Sequence, residues 1–280
     1  MYYYKKYPIL FSLCTILAVI VLNRIPLSSF IESYGTTKCI ATTMETIIFN
    51  CLTLAVLVYI IVSIKIPFHF SGKFKTKDSI FYLPIIIYLV IFSGGFSNII
   101  NYNFETRNQI HFYLFSLNTL VSAFLEEILF RGLIFGLLLN AYLNKINGIV
   151  KSVVLSGVLF GSIHLLNIWT MPDTSIQGVL NQIYAASCLG IMYATVYLKT
   201  RSILTLSIIH FLSNFLALLG THEFSSTTEA INVSQSTFLT ALIEEVVRLI
   251  IYGIPILISI LLLNYTSEKD IRAFSNNTTK

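Results

Sequence analysis

The chain has 280 residues, 55% of them hydrophobic and only 11% charged, with a mean hydropathy of +0.78. A soluble domain carries about 25% charged residues, so a water-soluble globule is excluded and a polytopic membrane protein is indicated. The net charge of +5 then speaks for cytoplasmic loops rather than for nucleic acid, because Lys and Arg collect on that side of a membrane.

The first apolar run covers residues 8–22, behind Lys5 and Lys6. No small-x-small cleavage site follows it, only Asn23-Arg24-Ile25-Pro26, so it reads as a retained first span rather than a signal peptide. Further spans are expected at residues 45–66, 79–96, 112–139, 149–168, 177–198, 202–220 and 237–265. A basic loop with Lys73, Lys75 and Lys77 separates the second span from the third, and a polar loop at 221–236 precedes the last. Trp169 ends the fifth span as an interface anchor. The tail at 266–280 is polar and carries no C-a-a-X box, so prenylation of the chain itself is not expected.

This gives an all-α bundle of about eight transmembrane helices, a multi-pass protein of the cell membrane. With the N-terminus inside, thirteen of the 18 Lys and Arg fall on the inner side. Arg24, Lys38 and Arg107 fall outside, while Arg131 and Arg248 lie within spans. That imbalance places both termini in the cytoplasm. The four cysteines, Cys14, Cys39, Cys51 and Cys188, form no C-x-x-C pair and suggest no disulfide framework or zinc–thiolate site.

The fourth span is the informative one, because Glu126, Glu127 and Arg131 interrupt its apolar run. A charge near the bilayer centre costs on the order of 3 kcal/mol on insertion scales, so three within six residues need a reason. On a helix, Glu127 and Arg131 are four apart and share a face, where they can pair. Glu126 points about 100° away and has no local cation. Glu127 and Arg131 therefore read as a structural couple and Glu126 as the reactive group.

Two more polar clusters lie at comparable depth. Phe160 and His164 share a face of the fifth span, and His210 and Asn214 share a face of the seventh. Ionisable groups within spans mark functional sites. This set suits hydrolysis. A carboxylate in a low-dielectric pocket is a stronger base than in water. Glu126 would deprotonate a water held by His164, while His210 and Asn214 would donate to the oxyanion of a tetrahedral intermediate. The alternative use of the same side chains is a divalent metal such as zinc, ligated by Glu126, His164 and His210. No H-E-x-x-H motif is present.

Glu126-Glu127-x-x-x-Arg131, Phe160-x-x-x-His164 and His210-x-x-x-Asn214, in this order on separate spans, resemble the signature of the CPBP intramembrane proteases. That family includes type II CAAX prenyl endopeptidases and Abi, or bacteriocin self-immunity, proteins. The resemblance covers residues 110–220, leaving 1–109 as N-terminal helices and loops, 221–265 as a loop and last helix, and 266–280 as the tail. It implies a glutamate-dependent endopeptidase, named a metalloprotease in the family, in which Glu126 and His164 activate water and His210 and Asn214 form the oxyanion site. It also implies a peptide or lipidated-peptide substrate. A non-proteolytic immunity or scaffold protein that binds a bacteriocin is the rival reading. A proton-coupled transporter is a third, since buried Glu and His also build proton relays.

Glu244-Glu245-Val246-Val247-Arg248 imitates the first motif but is one residue shorter. It reads as salt-bridged structure, with Glu244 and Arg248 four apart and Glu245 and Arg248 three apart. Gly132-x-x-x-Gly136 and Gly157-x-x-x-Gly161 are small-residue contacts, expected to join the fourth span to the fifth. His69, His111 and His222 fall in loops or at span ends.

Overall fold

The computed structural model describes residues 3–71, 79–92, 109–170, 174–219 and 238–264. The basic loop at 72–78, the end of the third span, the polar loop at 221–236 and the tail lie outside them. Every regular element among the described residues is helical. In chain order these are α1 (Tyr3–Lys6), α2 (Pro8–Leu22), α3 (Ser28–Glu32), α4 (Lys38–Ser63) and α5 (Leu83–Phe92), the last entered through a 3₁₀ turn at Ser79–Tyr82. Next come α6 (Gln109–Glu127), a π-helical segment (Ile128–Phe135), α7 (Gly136–Tyr142) and α8 (Gly148–Ser162). A 3₁₀ turn at Ile163–Leu166 leads to α9 (Asn167–Thr170), followed by α10 (Ile176–Thr200), α11 (Ile203–Leu218) and α12 (Phe238–Asn264).

Four of these stretches are long and apolar enough to cross a membrane: Lys38–Ser63, Gly148–Thr170, Ile176–Thr200 and Leu242–Asn264. Three shorter apolar helices stand at Pro8–Leu22, Ile80–Phe92 and Ile203–Leu218. The chain is a helical membrane protein by this measure. Its surface agrees, because large apolar side chains such as Leu17, Val62, Ile91, Ile250 and Leu257 point outward, while Glu127 and Arg131 are fully buried. Such an arrangement is stable when the solvent is hydrocarbon.

Local chemistry sets the helix ends. Thr37, Ser175 and Ser202 cap α4, α10 and α11, each hydroxyl accepting from a backbone N–H three residues on. The turn at Asn147-Gly148 closes with Asn147 in the left-handed region at φ 55°. A side chain at Gly148 would collide with the Tyr142 carbonyl.

At the centre stands α10, packed against α8, α12 and the π segment. The glycines explain how closely, and they correct an expectation. Gly157 and Gly161 do not face the fourth span. A methyl group added to Gly161 would lie 2.6 Å from the Ile183 carbonyl, and one added to Gly157 would lie 2.6 Å from the Ile191 nitrogen, so both glycines let α8 approach α10. Gly132 and Gly136 instead accommodate Ile61, Ile66 and Phe68, at and beyond the end of α4. The fourth and fifth spans meet elsewhere, where the Ser156 hydroxyl donates to the Phe130 carbonyl at 3.2 Å.

The motif imitation on α12 is also resolved. Arg248 pairs with Glu245 at 2.9 Å. The Glu245 carboxylate also accepts from Gln177 at 3.0 Å and Asn181 at 3.3 Å, tying α12 to the start of α10. Arg248 is nearly half exposed, and an ion pair of that kind contributes little. The amide contacts place it as a helix-to-helix clasp.

Gly161→Ala is expected to cost about 1–3 kcal/mol, the usual range for an overpacked contact. It should appear as a lower thermal unfolding midpoint in detergent; an unchanged midpoint contradicts the close α8–α10 approach.

Candidate active site

The first layer of the site is an ion pair. Arg131 Nη1 stands 3.2 Å from Glu127 Oε1, and neither side chain is exposed. Glu127 closes α6, and Arg131 lies in the π-helical segment that follows, all of whose eight residues are buried. π-helical turns are rare and cluster at functional sites. The guanidinium also donates to the Gly190 carbonyl at 3.3 Å. It lies over the rings of Phe160 and Tyr193, with its carbon 4.5 Å and 5.2 Å from their centroids. One cation thus binds the fourth span to α8 and α10.

The second layer is His210 of α11. Its Nδ1 is 2.7 Å from the same Glu127 oxygen. A carboxylate paired with arginine only accepts, so Nδ1–H donates. That bond fixes the ring and turns Nε2 toward Glu126, whose Oε2 is 3.7 Å away. Phe160 stands edge-on to both imidazoles, its centroid 6.0 Å from that of His164 and 5.9 Å from that of His210.

The third layer is open. Glu126 is 26% exposed, against none for Glu127, and that difference assigns the two adjacent carboxylates to different surroundings. Glu126 lines a cavity of about 620 Å³ that His164 and Asn214 also line. The rest of its wall includes Ile16, Val19 and Ile20 of α2, so the first apolar helix forms part of the chamber. His164 reaches it from the 3₁₀ turn, a break in the fifth span that the expected unbroken helix at 149–168 does not contain. His210 is buried, with Nε2 on the side of the Glu126 carboxylate that lines the cavity.

Glu126, Glu127, Arg131, Phe160, His164, His210 and Asn214 are therefore brought into one region. The hydrogen bond from His210 to Glu127 joins residues 83 positions apart and is absent from the sequence reading, as are Gly190 and Tyr193. Tyr193 and Gly190 lie three apart on one face of α10, a pattern that carries no polar mark in an apolar helix. Asn167 and Gln182, further polar residues of the cavity, were also missed; Asn167 lies three residues after His164 and was within reach of inspection.

No three His, Cys, Asp or Glu side chains among the described residues group closely enough to hold an ion. The expected ligands Glu126, His164 and His210 do not form such a group, although the bond from His210 Nδ1 to Glu127 leaves Nε2, the nitrogen a ligand would use, facing Glu126.

Residues 108–216 match the family described as type II CAAX prenyl endopeptidase Rce1-like. Over this segment the chain resembles that family. All three motifs fall inside the matched residues, and the resemblance read from them is supported. The matched family is, by its description, one of type II CAAX prenyl endopeptidases. No curated protein and no solved structure matches the chain.

Removing one partner of a fully buried ion pair costs about 3–5 kcal/mol, so Arg131→Ala should sharply lower the amount of folded protein in the membrane. Arg131→Lys should not restore it, because an ammonium cannot lie flat on Phe160 while bonding Glu127 and Gly190. Normal thermal stability of Arg131→Ala in detergent contradicts the role of the pair.

Proposed function

We propose that the chain is an intramembrane, glutamate-dependent endopeptidase, with eight spans and both termini cytoplasmic, acting on peptides or lipidated peptides. The observation that carries this reading is the placement of Glu126. Its carboxylate is half-buried, opens into a chamber shared with His164 and Asn214, and lies 3.7 Å from His210 Nε2.

The reaction uses this chain's own side chains and one water. His164 holds the water by a hydrogen bond, and Glu126 takes its proton. The oxygen attacks the scissile carbonyl carbon, and the carbonyl electron pair moves onto its oxygen. The Asn214 amide donates to that oxyanion, as does His210 Nε2–H when the ring is doubly protonated. The adduct collapses with cleavage of the C–N bond, and Glu126 returns the proton to the departing amine. Glu127 acts through His210 as a positioning residue, in the way that an aligned carboxylate holds a catalytic imidazole.

Glu126→Ala should reduce peptide cleavage in vesicles by about 10²–10⁴-fold, the typical contribution of a general base, with membrane levels unchanged. Wild-type-like cleavage by this variant overturns the reading. Treatment with a chelator should leave the wild-type rate unchanged; loss of activity that zinc restores contradicts the metal-free course of the reaction.

A further inference from the structure

The cavity contains a polar pair that the proposed reaction does not use. Asn167 of α9 donates from Nδ2 to Gln182 Oε1 of α10 at 2.8 Å. Thr170 in turn donates from its hydroxyl to Asn167 Oδ1 at 3.2 Å. All three residues line the chamber that Glu126, His164 and Asn214 line.

The Thr170 hydroxyl also reaches the Leu166 carbonyl at 3.3 Å, so the bond that orients the Gln182 amide is the one from Asn167 Nδ2, which takes its carbonyl oxygen. The Gln182 Nε2 group, with two N–H donors, is left with no protein acceptor among the described residues. Gln182 is partly exposed in the chamber, so this donor can meet a bound ligand there. A peptide in extended form offers what the donor lacks, since its main-chain carbonyls are not consumed by its own helix or sheet. The break in the fifth span serves the same end, because the 3₁₀ turn at Ile163–Leu166 and the short α9 set His164 and Asn167 on one wall.

We propose that Gln182 is a substrate-binding residue that donates to a main-chain carbonyl of an extended peptide, and that Asn167 is the positioning residue that orients it. The inference rests on the endopeptidase reading and adds to it the conformation in which substrate is held. It also explains how a chamber with largely apolar walls can take peptides of differing sequence, because the contact is made to the backbone.

The test uses the full chain in nanodiscs carrying Glu126→Ala, so that nothing is cleaved. The probe is a pool of short dansyl-labelled peptides rich in Leu, Val and Ala, titrated to give a binding curve. Gln182→Leu is expected to weaken binding about 3–10-fold, the net worth of one hydrogen bond. Gln182→Glu, of the same shape but without donors, should weaken it at least as much while unfolding at the same temperature as its parent. Asn167→Ala should weaken binding too, and adding it to Gln182→Leu should produce no further loss. In the cleaving protein, Gln182→Leu should raise KM and leave kcat unchanged. Equal binding by Gln182→Leu and its parent overturns the proposal, and so does the absence of binding by either. Binding that depends on Gln182, with no cleavage of the same peptides by the chain that keeps Glu126, sinks the endopeptidase reading alone.

Discussion

The structure depends on holding one carboxylate and one guanidinium, Glu127 and Arg131, in an interior closed to water. Neither charge is tolerable there by itself. Together they are held by a set of contacts that no single helix provides. The fourth span supplies both charges, α8 supplies the Phe160 face, α10 supplies the Gly190 carbonyl and the Tyr193 ring, and α11 supplies His210. Four helices are thereby fixed around one point. The same contacts aim His210 Nε2 at Glu126, so the element that stabilises the bundle also sets the geometry of the chamber.

The contrast between Glu126 and Glu127 follows from this. The two residues are adjacent in the chain, and helical geometry sends them in different directions. One is buried against arginine and imidazole and is held as an acceptor. The other opens into a chamber walled by aliphatic side chains of α2. Close packing elsewhere makes such a chamber sustainable. Gly157 and Gly161 bring α8 against α10, and Gly132 and Gly136 admit the residues at the end of α4, so the surrounding helices are locked without filling the space beside Glu126.

Much of this was legible in the chain. Charges in an apolar run demand partners, and the four-residue spacing of Glu127 and Arg131 identified the pair. Hydropathy placed the starts and ends of most helices to within a few residues, as at Pro8–Leu22 and Ile176–Thr200. What escaped was of three kinds. The bond between Glu127 and His210 crosses from one helix to another, and periodicity speaks only of neighbours on the same helix. The direction of the glycine faces was misjudged because spacing shows that a helix has a close partner without naming it. The 3₁₀ turn at His164 and the π segment at Arg131 contain no proline to announce them, and the glycines beside them read as helix contacts rather than as breaks.

The central claim is that Glu126, His164, His210 and Asn214 surround a single reacting carbon. A structure of the chain bound to a peptide trifluoromethyl ketone tests it most directly, because the hydrated ketone imitates the tetrahedral adduct. The account predicts one gem-diol oxygen between the Glu126 carboxylate and His164, and the other within hydrogen-bond distance of the Asn214 amide and on the His210 side. A ketone bound outside this chamber, or within it but turned away from Glu126, would contradict the account.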